Sequence, residues 1–137
     1  MGGMMGVGTG KTDYRKFSES FRKVWNVMGN HGIGIGTDVN GFEPLPGRAN
    51  GKGNQTDSDN FYRSFFDQSL IKSKCKTGNR TWDYVQDGGV SHYGIMPEFL
   101  HEVKINGGAD IVEKLNNSAE YFAQMWEKCE RQKKRVP

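Results

Sequence analysis

The chain has 137 residues, the length of a single domain, with 34% hydrophobic residues, 19 glycines and a mean hydropathy of -0.76. This permits a core, but a thin one for the length. The net charge of +3 comes from 19 basic and 16 acidic residues spread along the chain, without the clustered basic excess of a nucleic-acid binder. No run approaches the ~18 apolar residues of a membrane helix.

Residues 1–13 form a Gly- and Met-rich start that is expected to be irregular. It lacks the charged start and apolar core of a signal peptide, which favours a cytoplasmic location. Gly6-Val7-Gly8-Thr9-Gly10-Lys11-Thr12 approximates a phosphate-binding loop. That pattern needs a glycine where this chain has Met5, and a buried strand before it, so nucleotide binding is not expected. Cys75 and Cys129 read as two unrelated thiols, neither a disulfide framework nor a zinc ribbon.

Phe17, Phe21, Val24, Trp25 and Met28 recur at helical spacing, which predicts a helix over 14–28. Thr12 or Asp13 caps its start, and Gly29-Asn30 end it. Gly32-Ile33-Gly34-Ile35-Gly36-Thr37 follows as a short buried strand over 32–37. Its alternating glycines admit the close approach of another backbone or a ligand. The strand runs into Asp38 and the turn signal Asn40-Gly41. A helix tightly linked to a strand suits an alternating α/β unit.

The stretch 42–93 reads as a long loop or insertion, since Pro44 and Pro46 oppose regular pairing. A short helix over 60–72, using Phe61, Phe65 and Leu70, is expected within it. Beyond Tyr93, Pro97 suits the first turn of a helix over 96–105 that Gly107-Gly108 stop. Its apolar stripe is Met96, Phe99, Leu100 and Val103, which leaves His101 exposed. Asp110 caps a further helical stretch over 110–131, restarted at Asn117 or Ser118, with Phe122, Met125 and Trp126 inward. The basic residues from Lys128 to Arg135 complement the dipole at that helix end.

Asp38 is the leading catalytic candidate, because reactive groups in barrels and open α/β sheets collect at the carboxyl ends of strands. A carboxylate there ligates a metal or takes a proton from metal-bound water. By spacing alone, a turn-forming Asp is an equal alternative. His31, His92 and His101 share no ligand-like spacing. His31 lies about six extended residues, ~20 Å, from Asp38, and only His92 returns towards that strand end. No set of three metal ligands can be assembled from the chain.

Gly36-Thr37-Asp38-Val39-Asn40-Gly41, after a helix and before a Gly/Pro loop, resembles the eighth-strand region of membrane-dipeptidase-like zinc metallopeptidases of the amidohydrolase superfamily. The segment from His92-Tyr93-Gly94 to Leu100 is similar to the lead into that family's terminal helices. Asn117 to Glu127, with Tyr121-Phe122 and Trp126, resembles its closing helix.

The resemblance implies the C-terminal part of a (β/α) barrel, an α/β fold of which this chain supplies only the end, mostly helical with one or two short strands. It also implies a metal-dependent dipeptidase or amidase cleaving a short peptide or amide, with zinc or another divalent metal in the complete enzyme. Asp38 would be the catalytic aspartate beside a metal-bound hydroxide, either outside the first coordination sphere or a weak ligand. Asn40 and His92 would be substrate-binding. The metal ligands would come from earlier strands of a missing N-terminal barrel segment, so no metal is expected in this chain alone and the isolated segment is expected to be inactive. The reading from another class is a non-catalytic helical module that holds a partner chain.

Overall fold

The computed structural model describes residues 12–29, 31–34 and 45–133. Among them the fold is mostly helical, with five α-helices and one small two-stranded antiparallel hairpin; no barrel is present. None of the helices is long and apolar enough to cross a membrane.

Helix α1 runs Tyr14–Met28. Asp13 caps it, its Oδ1 accepting from the Arg15 amide at 2.8 Å and the Lys16 amide at 3.4 Å. Phe17 and Phe21 are its buried anchors, and the Phe17 ring meets that of Phe99 edge to face with centroids 5.3 Å apart. After Gly29 the chain passes through Gly32-Ile33-Gly34, with Ile33 buried. These residues form no strand. The rest of the expected strand over 32–37 lies outside the described residues. Gly32 is required by close approach, since a Cβ there would sit 2.2 Å from Tyr121 Cβ.

The stretch 42–93, expected as loop, supplies much of the core where it is described. Helix α2 spans Gln55–Gln68, five residues earlier than the apolar stripe suggests. Its start is a capping box: Asn54 Oδ1 accepts from the Asp57 amide at 2.9 Å and Asp57 Oδ2 from the Asn54 amide at 3.0 Å. The helix stops before Leu70, which is fully exposed, so Leu70 is no core residue. Strands β1 (Lys76–Thr77) and β2 (Arg80–Thr81) make the hairpin, Lys76 facing Thr81 and Thr77 facing Arg80.

Tyr84 and Val85 then enter the core completely. Pro46 does not prevent a pairing here, because it takes part through its carbonyl, while Pro44 lies outside the described residues. Pro46 O accepts from the Val90 amide at 2.7 Å, Gly88 O from the Arg48 amide at 2.9 Å, and Gly47 bridges Gly89 antiparallel. Gly89 has φ of 134°, and a Cβ there would lie 2.4 Å from Gly47 Cα.

Helix α3 (Met96–Glu102) has Pro97 in its first turn and continues as a π-helical turn, Val103–Gly107. It buries Glu98, Phe99, His101 and Glu102, which corrects the expectation that His101 is exposed. Helix α4 (Ala109–Asn116) buries Ile111, Lys114 and Leu115. Asp110 is not its cap. Gly108 holds that position, and Asp110 instead receives a forked pair from Arg22 of α1, at 2.6 and 3.0 Å. Helix α5 (Ser118–Lys133) buries no residue. Phe122, Met125 and Trp126, expected inward, are 46%, 40% and 57% exposed. The core lies among α1, α2, the Tyr84–Val90 turn, α3 and α4, with Phe21, Tyr84, Phe99 and Ile111 fully buried.

Candidate functional site

Asp38 and Asn40 lie outside the described residues. The chain leading towards them is visible as far as Gly34. There, among the described residues, a cleft of about 770 Å³ runs between the C-terminal end of α1, the 31–34 segment and α5. Met28, Tyr121, Phe122 and Met125 give it an apolar wall, and exposed His31 stands at its rim. Gly32 and Gly34 present backbone to it. The cleft exists because Gly32 seats directly on Tyr121, while α5 projects past the core with its apolar face towards the 31–34 segment.

A second group of functional side chains is buried between α2 and α3. Ser58 and Lys74 converge on Asp83. Ser58 Oγ donates to Asp83 Oδ2 at 2.6 Å, and Lys74 Nζ reaches the same oxygen at 2.5 Å and Ser58 Oγ at 3.0 Å. Burial pushes Asp83 up, but these hydrogen bonds outweigh it and hold the carboxylate below its usual range. Asp83 Oδ1 also accepts from the Val85 and Gln86 amides, both at 2.9 Å, so it shapes the turn that inserts Tyr84.

Tyr84 Oη donates to Glu102 Oε2 at 2.5 Å, and Arg48 Nε faces Glu102 Oε1 at 3.7 Å. Tyr62 Oη accepts from the Tyr84 amide at 3.0 Å and approaches Glu98 Oε1 at 3.5 Å, while Glu98 Oε2 is buried without a hydrogen-bond partner among the described residues. Burial raises Glu98 and Glu102, and the Tyr62 and Tyr84 hydroxyls are pushed up by the same cause. Ser64 Oγ meets His101 Nε2 at 3.3 Å, and burial lowers the histidine's pKa. These groups are sealed by Phe61, Phe65 and Phe99. Ser58 is completely buried, so its closeness to Lys74 makes a structural network and not an accessible nucleophile.

His92 is the one proposed substrate-binding residue that is described. It heads the 3-10 turn Tyr93–Ile95, and its Nδ1 accepts from the Gly94 amide at 2.9 Å. The same nitrogen faces Cys75 Sγ at 3.7 Å, and its ring stacks on Trp82 at 4.8 Å. The two thiols are therefore unlike each other: Cys75 is partly buried against a histidine, and Cys129 is exposed on α5. Sequence reasoning missed this pair because 17 positions separate its members, with no spacing signal between them.

Among the described residues no group of three or more His, Cys, Asp or Glu is placed to hold a metal. Compared with family models, curated proteins and solved structures, the chain matches none.

Proposed function

We propose that this chain is the closing segment of a metal-dependent dipeptidase-type hydrolase that cleaves a short peptide or amide bond. In this reading the residues from Gly32 to Asp38 are a barrel strand that needs neighbours. The supporting observation is α5, which buries none of its residues yet carries Tyr121, Phe122 and Met125 beside Gly32 and Gly34. A helix of this kind covers a sheet in a barrel, and a lone segment cannot close one.

The described residues do not fit a metal centre by themselves, so zinc or another divalent ion would be held by earlier strands of the same barrel. Asp38 would be the carboxylate this chain contributes, with Asn40 beside it on the same turn signal. His92 is tied to Gly94 and faces Cys75, an arrangement that gives no support to substrate binding by its Nδ1.

The test is complementation. Supplying an N-terminal segment that bears the missing strands and a His-x-Asp pair should produce zinc-dependent dipeptide hydrolysis. Asp38→Asn should then lower kcat by at least ~10²-fold.

The second reading, a non-catalytic helical module, draws on the closed core around Tyr84 and Phe99. It predicts no gain of hydrolysis on complementation, and cooperative unfolding of a monomeric chain.

A further inference from the structure

Cys75 occupies an environment that the hydrolase reading does not use. It precedes β1, and its carbonyl accepts from the Trp82 amide at 2.9 Å, which closes the base of the hairpin. This places Sγ 3.7 Å from His92 Nδ1.

The imidazole is held by a ring stack and a hydrogen bond. Trp82 stacks on it with an interplanar angle of 21°, and Trp82 is itself fixed by Arg80 over its ring at 3.6 Å and by Nε1 donating to Thr77 Oγ1 at 2.5 Å. The Gly94 amide donates to Nδ1, which selects the tautomer with its proton on Nε2 and leaves Nδ1 as an acceptor, with Sγ beside it at 3.7 Å. Gly94, an exposed residue, lies against the sulfur: a Cβ there would be 2.3 Å from Sγ and 3.1 Å from Nδ1. A half-buried thiol, an oriented base and an entry flanked by a side-chain-free residue are the parts of a nucleophilic thiol site.

We propose that Cys75 is the reactive thiol of this chain and that, with His92 as proton acceptor, it takes up a small disulfide to form a mixed disulfide. The Cys75 S–H bond breaks as its proton passes to His92 Nδ1, and the sulfur's electron pair attacks one sulfur of the disulfide. The S–Cys75 bond forms while the reagent's S–S bond breaks. The leaving thiolate carries away the electron pair, and the proton passes from His92 to it or, where that thiolate is a weak base, to solvent, so one thiol and one disulfide become one mixed disulfide and one thiol or thiolate plus a proton. Accepting the proton costs Nδ1 its Gly94 bond. The assistance is therefore smaller than the ~10²–10⁴-fold of well-placed general bases, and about 10-fold is expected.

The test uses 5,5′-dithiobis(2-nitrobenzoate) on the full chain, with release of the coloured thiolate timed in Cys129→Ser and Cys75→Ser variants. Exposure alone favours Cys129. The proposal expects the opposite order, with Cys75 about 10-fold faster. His92→Gln in the Cys129→Ser background should then slow Cys75 by about 10-fold. Loosening of the fold would instead expose Cys75 and speed it, so a slower reaction cannot come from unfolding. If His92→Gln does not fold, His92→Phe, which keeps a ring on Trp82 without a nitrogen, is read in the same way. A Cys129 that reacts faster than Cys75, or a Cys75 rate unchanged without the imidazole, overturns the proposal.

Discussion

The region around Tyr84 and the face of α5 handle apolar and polar groups in opposite ways. Around Tyr84, aromatic rings and carboxylates are buried together and nearly every polar atom has a partner, as with Tyr84 to Glu102 and Lys74 to Asp83. On α5, large apolar side chains stand half-exposed and the helix is held at its start, where Tyr121 meets Gly32 and Lys114 Nζ lies 4.7 Å from the Tyr121 ring centroid. Burying a polar group without a partner is costly, whereas leaving an apolar one exposed is tolerated singly and is informative only as a contiguous patch. The first region is thus a completed core. The second has the composition of a core surface and lacks a cover among the described residues.

Substitutions sharpen that contrast, beginning with the largest effect. Phe99→Ala removes a fully buried ring that Phe17 meets edge-on, and should cost about 3–5 kcal/mol in urea unfolding. An effect below about 1 kcal/mol would mean that this region is no more consolidated than α5. Tyr84→Phe keeps the ring but removes the donor to Glu102, leaving a buried carboxylate oxygen short of a bond. A loss of about 1–3 kcal/mol is expected from the same measurement.

Glu98→Gln acts in the other direction. Burial raises the folded-state pKa of Glu98 above its unfolded value. Its contribution is therefore full below the ordinary glutamate range and is lost as pH rises through the raised folded value. The variant should melt higher than the parent at neutral pH, and that advantage should vanish under acid conditions where Glu98 is protonated in both states. Asp83 has the opposite sign. Its carboxylate is held low by Lys74 and Ser58, so its stabilisation is present at neutral pH and fades as pH falls through the acid range.

Asp110→Asn breaks the exposed pair with Arg22 and should cost about 0.5 kcal/mol, a difference that shrinks at high salt. Trp126→Ala on α5 should change the stability of the chain by no more than about 0.5 kcal/mol. If it lowers activity only after complementation with an N-terminal segment, the face is a covered one in the complete enzyme. A large loss of stability in the isolated chain would instead make α5 part of the present core.

Local signals carried some elements and misled on others. The stripe from Phe17 to Met28 and the flanking Asp13 and Gly29 mark α1 through periodicity and capping, which act within a few residues. Pro97 likewise marks the start of α3. The capping box at Asn54 and Asp57 was also written in the chain, but a polar first turn hid it from a reading guided by apolar spacing. The candidate site was far less legible. Asp38 and Asn40 stand out only through their turn and motif, and His92 drew attention without its true neighbour Cys75, which a distant hairpin brings to it.

The sequence by itself determined where α1 and α3 begin and placed the glycines that allow Gly32 to seat on Tyr121 and Gly89 on Gly47. Tertiary structure alone decided which faces are inside. The described part of the 42–93 stretch joined the core because Asp83 turns Tyr84 inward against α2 and α3, and His101 became buried because Phe61 and Phe65 close over it. The stripe of α5 stayed half-exposed because the end of α1 and the 31–34 segment face it only across an open cleft. Periodicity states that a helix has an apolar face. What that face meets is set by residues far away in the chain, and so lies beyond any local pattern.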